Sequence, residues 1–150
     1  MTAPNAATRE TTMDWGQKAK LAEELGLGSA SLLKHLPAKE LDYICNGIGP
    51  EWFPKLLRDA VTKLHKSLEI AADIHDLRYW NGTGTDDDFQ DANKEFRANG
   101  LKLADHYYGW YDPRRYLGRR SARNFYHLLE LGGRVAYNRA IAEREAHDGA

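Results

Sequence analysis

Cysteine is nearly absent from this chain. The single Cys45 excludes an internal disulfide framework. Long apolar runs are missing too, and none approaches the length of a membrane span. The first fifteen residues, MTAPNAATRETTMDW, lack the apolar core of a secretory signal. The expectation is a soluble protein synthesised in a reducing cytoplasm. Release by lysis, or incorporation into a virion, requires no such signal and stays open. A net charge of one sign is also lacking. The balance is −1, which says little about partners, and no nucleic-acid partner is expected. No internal repeat and no convincing strand pattern is present, so the fold class expected is all-α.

What is present suits one domain. At 150 residues, with 42% hydrophobic and 29% charged residues, the chain is long enough to bury a core of its own. Residues 1–13 are small and polar and read as a flexible tail, leaving 14–150 as a single helical domain. A helix is expected from Asp14 to Leu25, ended by Gly26 and Gly28. Short helices follow at Ser29 to His35 and Ala38 to Cys45. A further helical pattern spans Trp52 to Lys66, with Pro54 in its first turn. Asp86 to Asp88 open another helix, where the dipole favours acidic residues. Asn99-Gly100 reads as its weak point or break. Ala122 to Leu131 and Arg134 to Arg144 form two more helices around Gly132-Gly133.

The chain is organised around Ser67 to Trp80, SLEIAADIHDLRYW. Leu68, Ala72, His75 and Tyr79 share one helical face, with Asp76 at its edge, and Ile70, Ile74 and Leu77 cover another. Such a helix is wrapped by neighbours on most sides. An imidazole and a carboxylate within it are costly unless bonded, paired or holding a metal. Asn81-Gly82-Thr83-Gly84-Thr85 then turns the chain sharply. Asn81-Gly82-Thr83 is also a glycosylation acceptor pattern, discounted here for want of a secretory signal. Helices joined by so short a turn lie antiparallel, which sets Asp91 to Asn93 level with His75. Upstream, Cys45-Asn46-Gly47-Ile48-Gly49-Pro50 has two glycines spaced by one residue. It is not expected to be regular structure, and it can turn several carbonyls toward one point.

Three of these pieces together resemble the phospholipase A2 superfamily, in the compact, disulfide-free form of bacterial, phage and parvoviral proteins. Asn46-Gly47-Ile48-Gly49-Pro50 looks like its calcium-binding loop. Ala71 to Tyr79, with His75-Asp76-x-x-Tyr79, looks like its catalytic helix. Ala92-Asn93-Lys94-Glu95-Phe96 looks like the partner helix, where the family carries Ala-Asp-x-x-Phe. The likeness spans roughly residues 40 to 100. It implies calcium-dependent hydrolysis of the sn-2 ester of glycerophospholipids, with His75 as the base that activates water. It implies Ca2+ held by Asp76 and by the carbonyls of Cys45, Gly47 and Gly49. It implies Tyr79 as a hydroxyl that steadies the site, and a phospholipid bilayer surface as partner, with membrane disruption or penetration as the outcome.

Two departures from the family pattern stand out. Asn93 occupies the slot in which an Asp normally orients the His, and an amide offers no full negative charge. In another hydrolytic triad an Asp-to-Asn change costs about 10⁴ in rate. Asp91 or Asp88 could take the role only by a shift of register. Pro50-Glu51-Trp52 also follows Gly49 where secreted family members place another glycine. A rival reading is therefore a catalytically weak or inactive scaffold, such as a phage particle component that binds other particle proteins. A His-Asp metal phosphohydrolase is a third, but it leaves the glycine loop unused. His35, His65, His106, His127 and His147 read as surface or packing residues. The aromatic run Tyr107 to Tyr111 reads as core, with a lipid interface as the alternative for some of its rings. The arginines from 114 to 123 read as a solvated face that also suits lipid phosphates or a partner chain.

Overall fold

The computed structural model describes residues 13–47 and 65–149, and among them every regular element is helical. The tail 1–12, the Ile48-Gly49-Pro50 part of the glycine loop and nearly all of the Trp52 to Lys66 helix lie outside the described residues. So does the side chain of His65. Met13, placed in the tail by its composition, instead packs on the core, where its sulfur accepts from the Tyr107 hydroxyl.

Helix α1 runs over Trp15–Glu24, with Asp14 and Gln17 forming a reciprocal capping box at its start. A 3-10 turn, Ala30–Lys34, packs back on it. Helix α2 covers Ala38–Gly47. The expected break after Cys45 is thus later in the chain. The helical turn is carried through Asn46 and Gly47, because glycine disfavours a helix interior by only about 1 kcal/mol and costs less near an end.

Helices α3, His65–Trp80, and α4, Asp86–Tyr107, form the central hairpin. Their register is antiparallel. Arg78 meets Asp88, His75 meets Asn93 and Leu68 meets Gly100, so each step down α3 matches a step up α4. The wrapping expected of α3 is present: Leu68, Ile70, Ala71, Ile74, Leu77 and Tyr79 are all buried. Thr85 caps α4, and the three aspartates 86 to 88 fill its first turn.

Helix α5, Pro113–Gly132, starts earlier than its apolar pattern suggested, because Asp112 caps it and Pro113 fits its first turn. It lies antiparallel on α4. Helix α6, Arg134–Asp148, then crosses α3 and closes over the α3–α4 turn. Arg144 donates to the carbonyls of Trp80 and Gly82, and the Tyr137 hydroxyl accepts from the Gly84 amide and donates to Asp88. The buried apolar residues fall into a large cluster on α1 to α5 and a smaller one of Tyr79, Phe89, Ala92, Ala136, Tyr137 and Ala140.

Asn99-Gly100 does not break α4, which runs unbroken through it. Glycine is there for close approach. A methyl group added at Gly100 would stand 2.8 Å from the Ala122 Cβ and 3.3 Å from Leu68. One turn on, Ala104 meets Gly118 in the same way. The Asn99 amide faces the other direction and pairs with both the N–H and the C=O of Gly28. The aromatic run is only half core. Tyr108 is buried, but Trp110 and Tyr111 are 84% and 77% exposed because the chain turns outward into the Asp112 cap.

Gly100→Ala is expected to lower stability, although alanine is the better helix former by about 1 kcal/mol. Crowding against Ala122 costs about 1–3 kcal/mol, and adding Ala122→Gly should recover part of the loss. Urea unfolding of the parent and the two variants checks this; a single variant as stable as the parent contradicts the close helix contact.

Candidate active site

His75, Tyr79 and Asn93 come together where the two apolar clusters meet. His75 contacts Phe96 of the larger cluster edge-on and Tyr79 of the smaller one, whose ring centroid is 4.0 Å away. The Asn93 side chain is the hub. Its Oδ1 lies 2.9 Å from His75 Nε2 and accepts from the Tyr79 hydroxyl at 2.6 Å. Its Nδ2 donates to Glu130 Oε1 at 3.1 Å. Asn93 is 0% exposed, so these protein groups, and not water, must satisfy its amide.

This arrangement selects one form of the imidazole. A carboxylate oxygen only accepts, so the amide must turn its NH₂ toward Glu130 and its oxygen toward His75 and Tyr79. His75 Nε2 then carries the hydrogen, and the lone pair is left on Nδ1. Burial pushes the ring's pKa down to about 4, against the bond from Asn93, with the Arg78 charge lowering it further. At neutral pH the ring is an uncharged base.

The other predicted residues divide. Asp76 is half-buried on the next position of α3. Burial and the neighbouring Asp73 charge hold its carboxyl well above the usual range, and no donor or cation among the described residues opposes them. Cys45, near the end of α2, lies against the same stretch: its Sγ is 3.7 Å from the Asp73 carbonyl, and Asp76 and Asp73 help burial to push its thiol pKa up. Gly47 belongs to the last turn of α2, and Gly49 lies outside the described residues. Asp91 and Asp88 do not reach His75. Asp91 is exposed, on the far side of α4 from Asn93, as expected for residues about 200° apart. Asp88 is occupied by Tyr137, Arg78 and the Thr83 amide.

Asp73, two residues before His75, is held by Lys18 of α1 at 2.8 Å, and Lys18 also meets Glu69 at 3.1 Å and stacks over Trp15. Two residues of the site went unpredicted. Glu130 sits 37 positions from Asn93 in a helix whose stagger no local pattern reveals. Gly133, at the α5–α6 elbow, leaves room for Tyr79: a methyl group there would stand 2.7 Å from the Tyr79 hydroxyl. Asn93 as the level partner of His75 was the signal available, and Glu130 requires the third helix.

A calcium ion is the group the family resemblance implies. A desolvated carboxyl beside a like charge gains from any cation. The last-turn carbonyls of α2 add hard oxygen donors at the negative end of a helix dipole. The Asp76 carboxyl and the carbonyls of Cys45 and Gly47 are each hard oxygen donors of the type such an ion takes. Among the described residues no cluster of three His, Cys, Asp or Glu side chains forms a cation site by itself, so backbone oxygens would have to complete it. No protein-family model matches the chain, and neither the curated proteins nor the solved structures contain a match to it.

Because the folded ring gains its proton only near pH 4, whereas an unfolded His does so near 6.5, the unfolded state binds more protons between these values. The stability associated with a neutral His75 is complete above pH 6.5 and is lost as pH falls through 4, about 3 kcal/mol in all. Urea unfolding from pH 7 to 4 should therefore show the parent losing about that much relative to His75→Gln. Parallel profiles for the two proteins would contradict a buried neutral imidazole.

Proposed function

We propose that this chain is a phospholipase A2-like hydrolase of glycerophospholipid esters. The observation that carries the reading is the orientation of His75: its Nε2 is fixed by Asn93, a residue held in place by two further partners, while Nδ1 keeps its lone pair. On this reading Nδ1 takes a proton from water as the water attacks the ester, and the resulting imidazolium returns it to the leaving alkoxide. Asn93 holds the ring against rotation and accepts from its far N–H throughout. Tyr79 fixes the Asn93 oxygen in turn. Asp76 with the carbonyls of Cys45 and Gly47 would hold the calcium ion. When bound, that ion supplies polarisation of the ester carbonyl and stabilisation of the negative charge that develops on it.

The surface supports a lipid partner. Trp110 and Tyr111 stand exposed at the α4–α5 turn, edge to face at 5.8 Å, with Tyr116 and Leu117 exposed in the first turns of α5. Amphipathic rings of this kind are favoured at the headgroup level of a bilayer. The neighbouring arginines suit lipid phosphates, although Arg114 is paired with Asp112, and Arg115 and Arg119 with Asp105. None of the described helices is long and apolar enough to cross a membrane, so the contact would be peripheral.

One observation favours the second reading, a scaffold without turnover: His75 is only 2% exposed, which leaves an ester little access to its ring. A single assay separates the two. The purified chain should release sn-2 fatty acid from phospholipid vesicles with calcium and not with chelator. His75→Gln should reduce the rate by at least about 10³. No release under saturating calcium leaves the scaffold reading. If hydrolysis is found, Trp110→Ser with Tyr111→Ser should weaken vesicle binding by about 10-fold or more, from loss of interfacial ring burial. The rate on a soluble short-chain lipid should stay unchanged; equal vesicle binding removes these rings from the interface.

A further inference from the structure

We propose that Glu130 is a positioning residue for His75, acting through the Asn93 amide. The carboxylate missing at position 93 is present one bond further out, on α5. Its effect on Asn93 is geometric. A side-chain amide can bind in two orientations, and only one of them gives His75 an acceptor at Nε2. Tyr79 cannot decide between them, because a hydroxyl both donates and accepts. His75 cannot decide either, because its two tautomers suit the two orientations equally well. Among the three groups bonded to the amide, Glu130 alone is restricted to one role, and it fixes the whole set. The chain of assignments runs from Glu130 to the Asn93 NH₂, then to the Asn93 oxygen, then to the hydrogen on Nε2 and the free lone pair on Nδ1.

The packing of α5 on α4 is what brings Glu130 within reach. Gly100 against Ala122 and Ala104 against Gly118 let the two helices run close along their shared length. Glu130 lies two turns beyond Ala122 on the same helix, level with Asn93.

The inference rests on His75 as the base of the proposed reaction, but its first readout does not. Ring ¹⁵N spectra of the full chain report the tautomer of His75 directly. The parent should show hydrogen on Nε2. Glu130→Gln preserves size but offers both a donor and an acceptor to Asn93, so both tautomers should be populated, and hydrolysis should fall by about 10- to 100-fold, as for other partners that orient a His. Glu130→Leu should do the same or more. If that variant does not fold, Glu130→Gln decides.

A second comparison tests where the charge belongs. Asn93→Asp alone sets two carboxylates within hydrogen-bond distance of each other, and should leave the protein less stable and no more active. Asn93→Asp combined with Glu130→Gln moves the charge inward and restores a donor to face it, so the two changes should be strongly non-additive. Unchanged His75 spectra in a folded Glu130→Gln protein would overturn the proposal, as would additive effects at 93 and 130. Tautomer mixing in a protein with no lipid hydrolysis would retain the role of Glu130 and remove the enzymatic reading. Hydrolysis with an unmoved tautomer would do the reverse.

Discussion

The fold depends on one buried amide. Asn93 has no access to water, yet it carries two donor hydrogens and a carbonyl oxygen with two lone pairs. Its oxygen is filled by α3, through His75 and Tyr79, and its nitrogen donates to α5, through Glu130. Leaving any one of these groups unbonded in the interior costs about 1–3 kcal/mol. Three helices are therefore tied to a common register at a point where apolar packing alone would tolerate some sliding. Small residues make this possible. The close contacts at Gly100 and Gly118 set the distance between α4 and α5, and Gly133 lets the α5–α6 elbow pass over the Tyr79 hydroxyl.

The acidic residues of α3 show a second constraint. Asp73 and Glu69 face α1 and are answered by Lys18, which is itself buried and covered by Trp15. Arg78, one turn beyond Ile74, is answered by Asp88 and Glu95 on α4. Asp76 differs: burial and Asp73 both disfavour its charge, and none of the described residues compensates. Buried charges are ordinarily paired or bound to a metal. Asp76 follows His75 directly in α3, so the least compensated carboxyl of that helix and its buried imidazole occupy consecutive positions.

Much of this was legible in the sequence. The apolar spacing of α3 predicted a helix covered on most sides. The five-residue turn after Trp80 fixed an antiparallel partner, so counting outward from the turn set Asp91 to Asn93 level with His75, and the family resemblance singled out Asn93 among them. Counting works there because short turns leave little freedom in register. It fails for the third helix. The α4–α5 stagger is set by Gly100 meeting Ala122, and in a sequence that glycine reads as a break, because conformational cost is local and visible whereas close packing is remote and not. Trp110 and Tyr111 misled for a related reason. Aromatic composition signals burial, but Asp112-Pro113 begins a helix at that point and directs both rings outward. The glycine loop was expected to begin at Cys45, yet α2 extends through Gly47, since a terminal glycine penalises a helix too little to stop it.

The identity of residue 93 follows from these constraints. An aspartate there would place a full charge on a fully buried side chain, beside a ring that is uncharged at neutral pH. The desolvation cost of such a charge is several kcal/mol unless it is well paired. An asparagine avoids that cost and still accepts from Nε2. The negative charge then resides on Glu130, which is only half-buried and keeps part of its hydration. Its field at the imidazole is weaker than that of a directly bonded carboxylate, because Coulomb interaction falls with distance and the half-buried position raises the effective dielectric. On the proposed reading the chain thus exchanges some stabilisation of the imidazolium for a resting state that folds without an uncompensated charge at its centre. The amide transmits orientation fully and charge only in part.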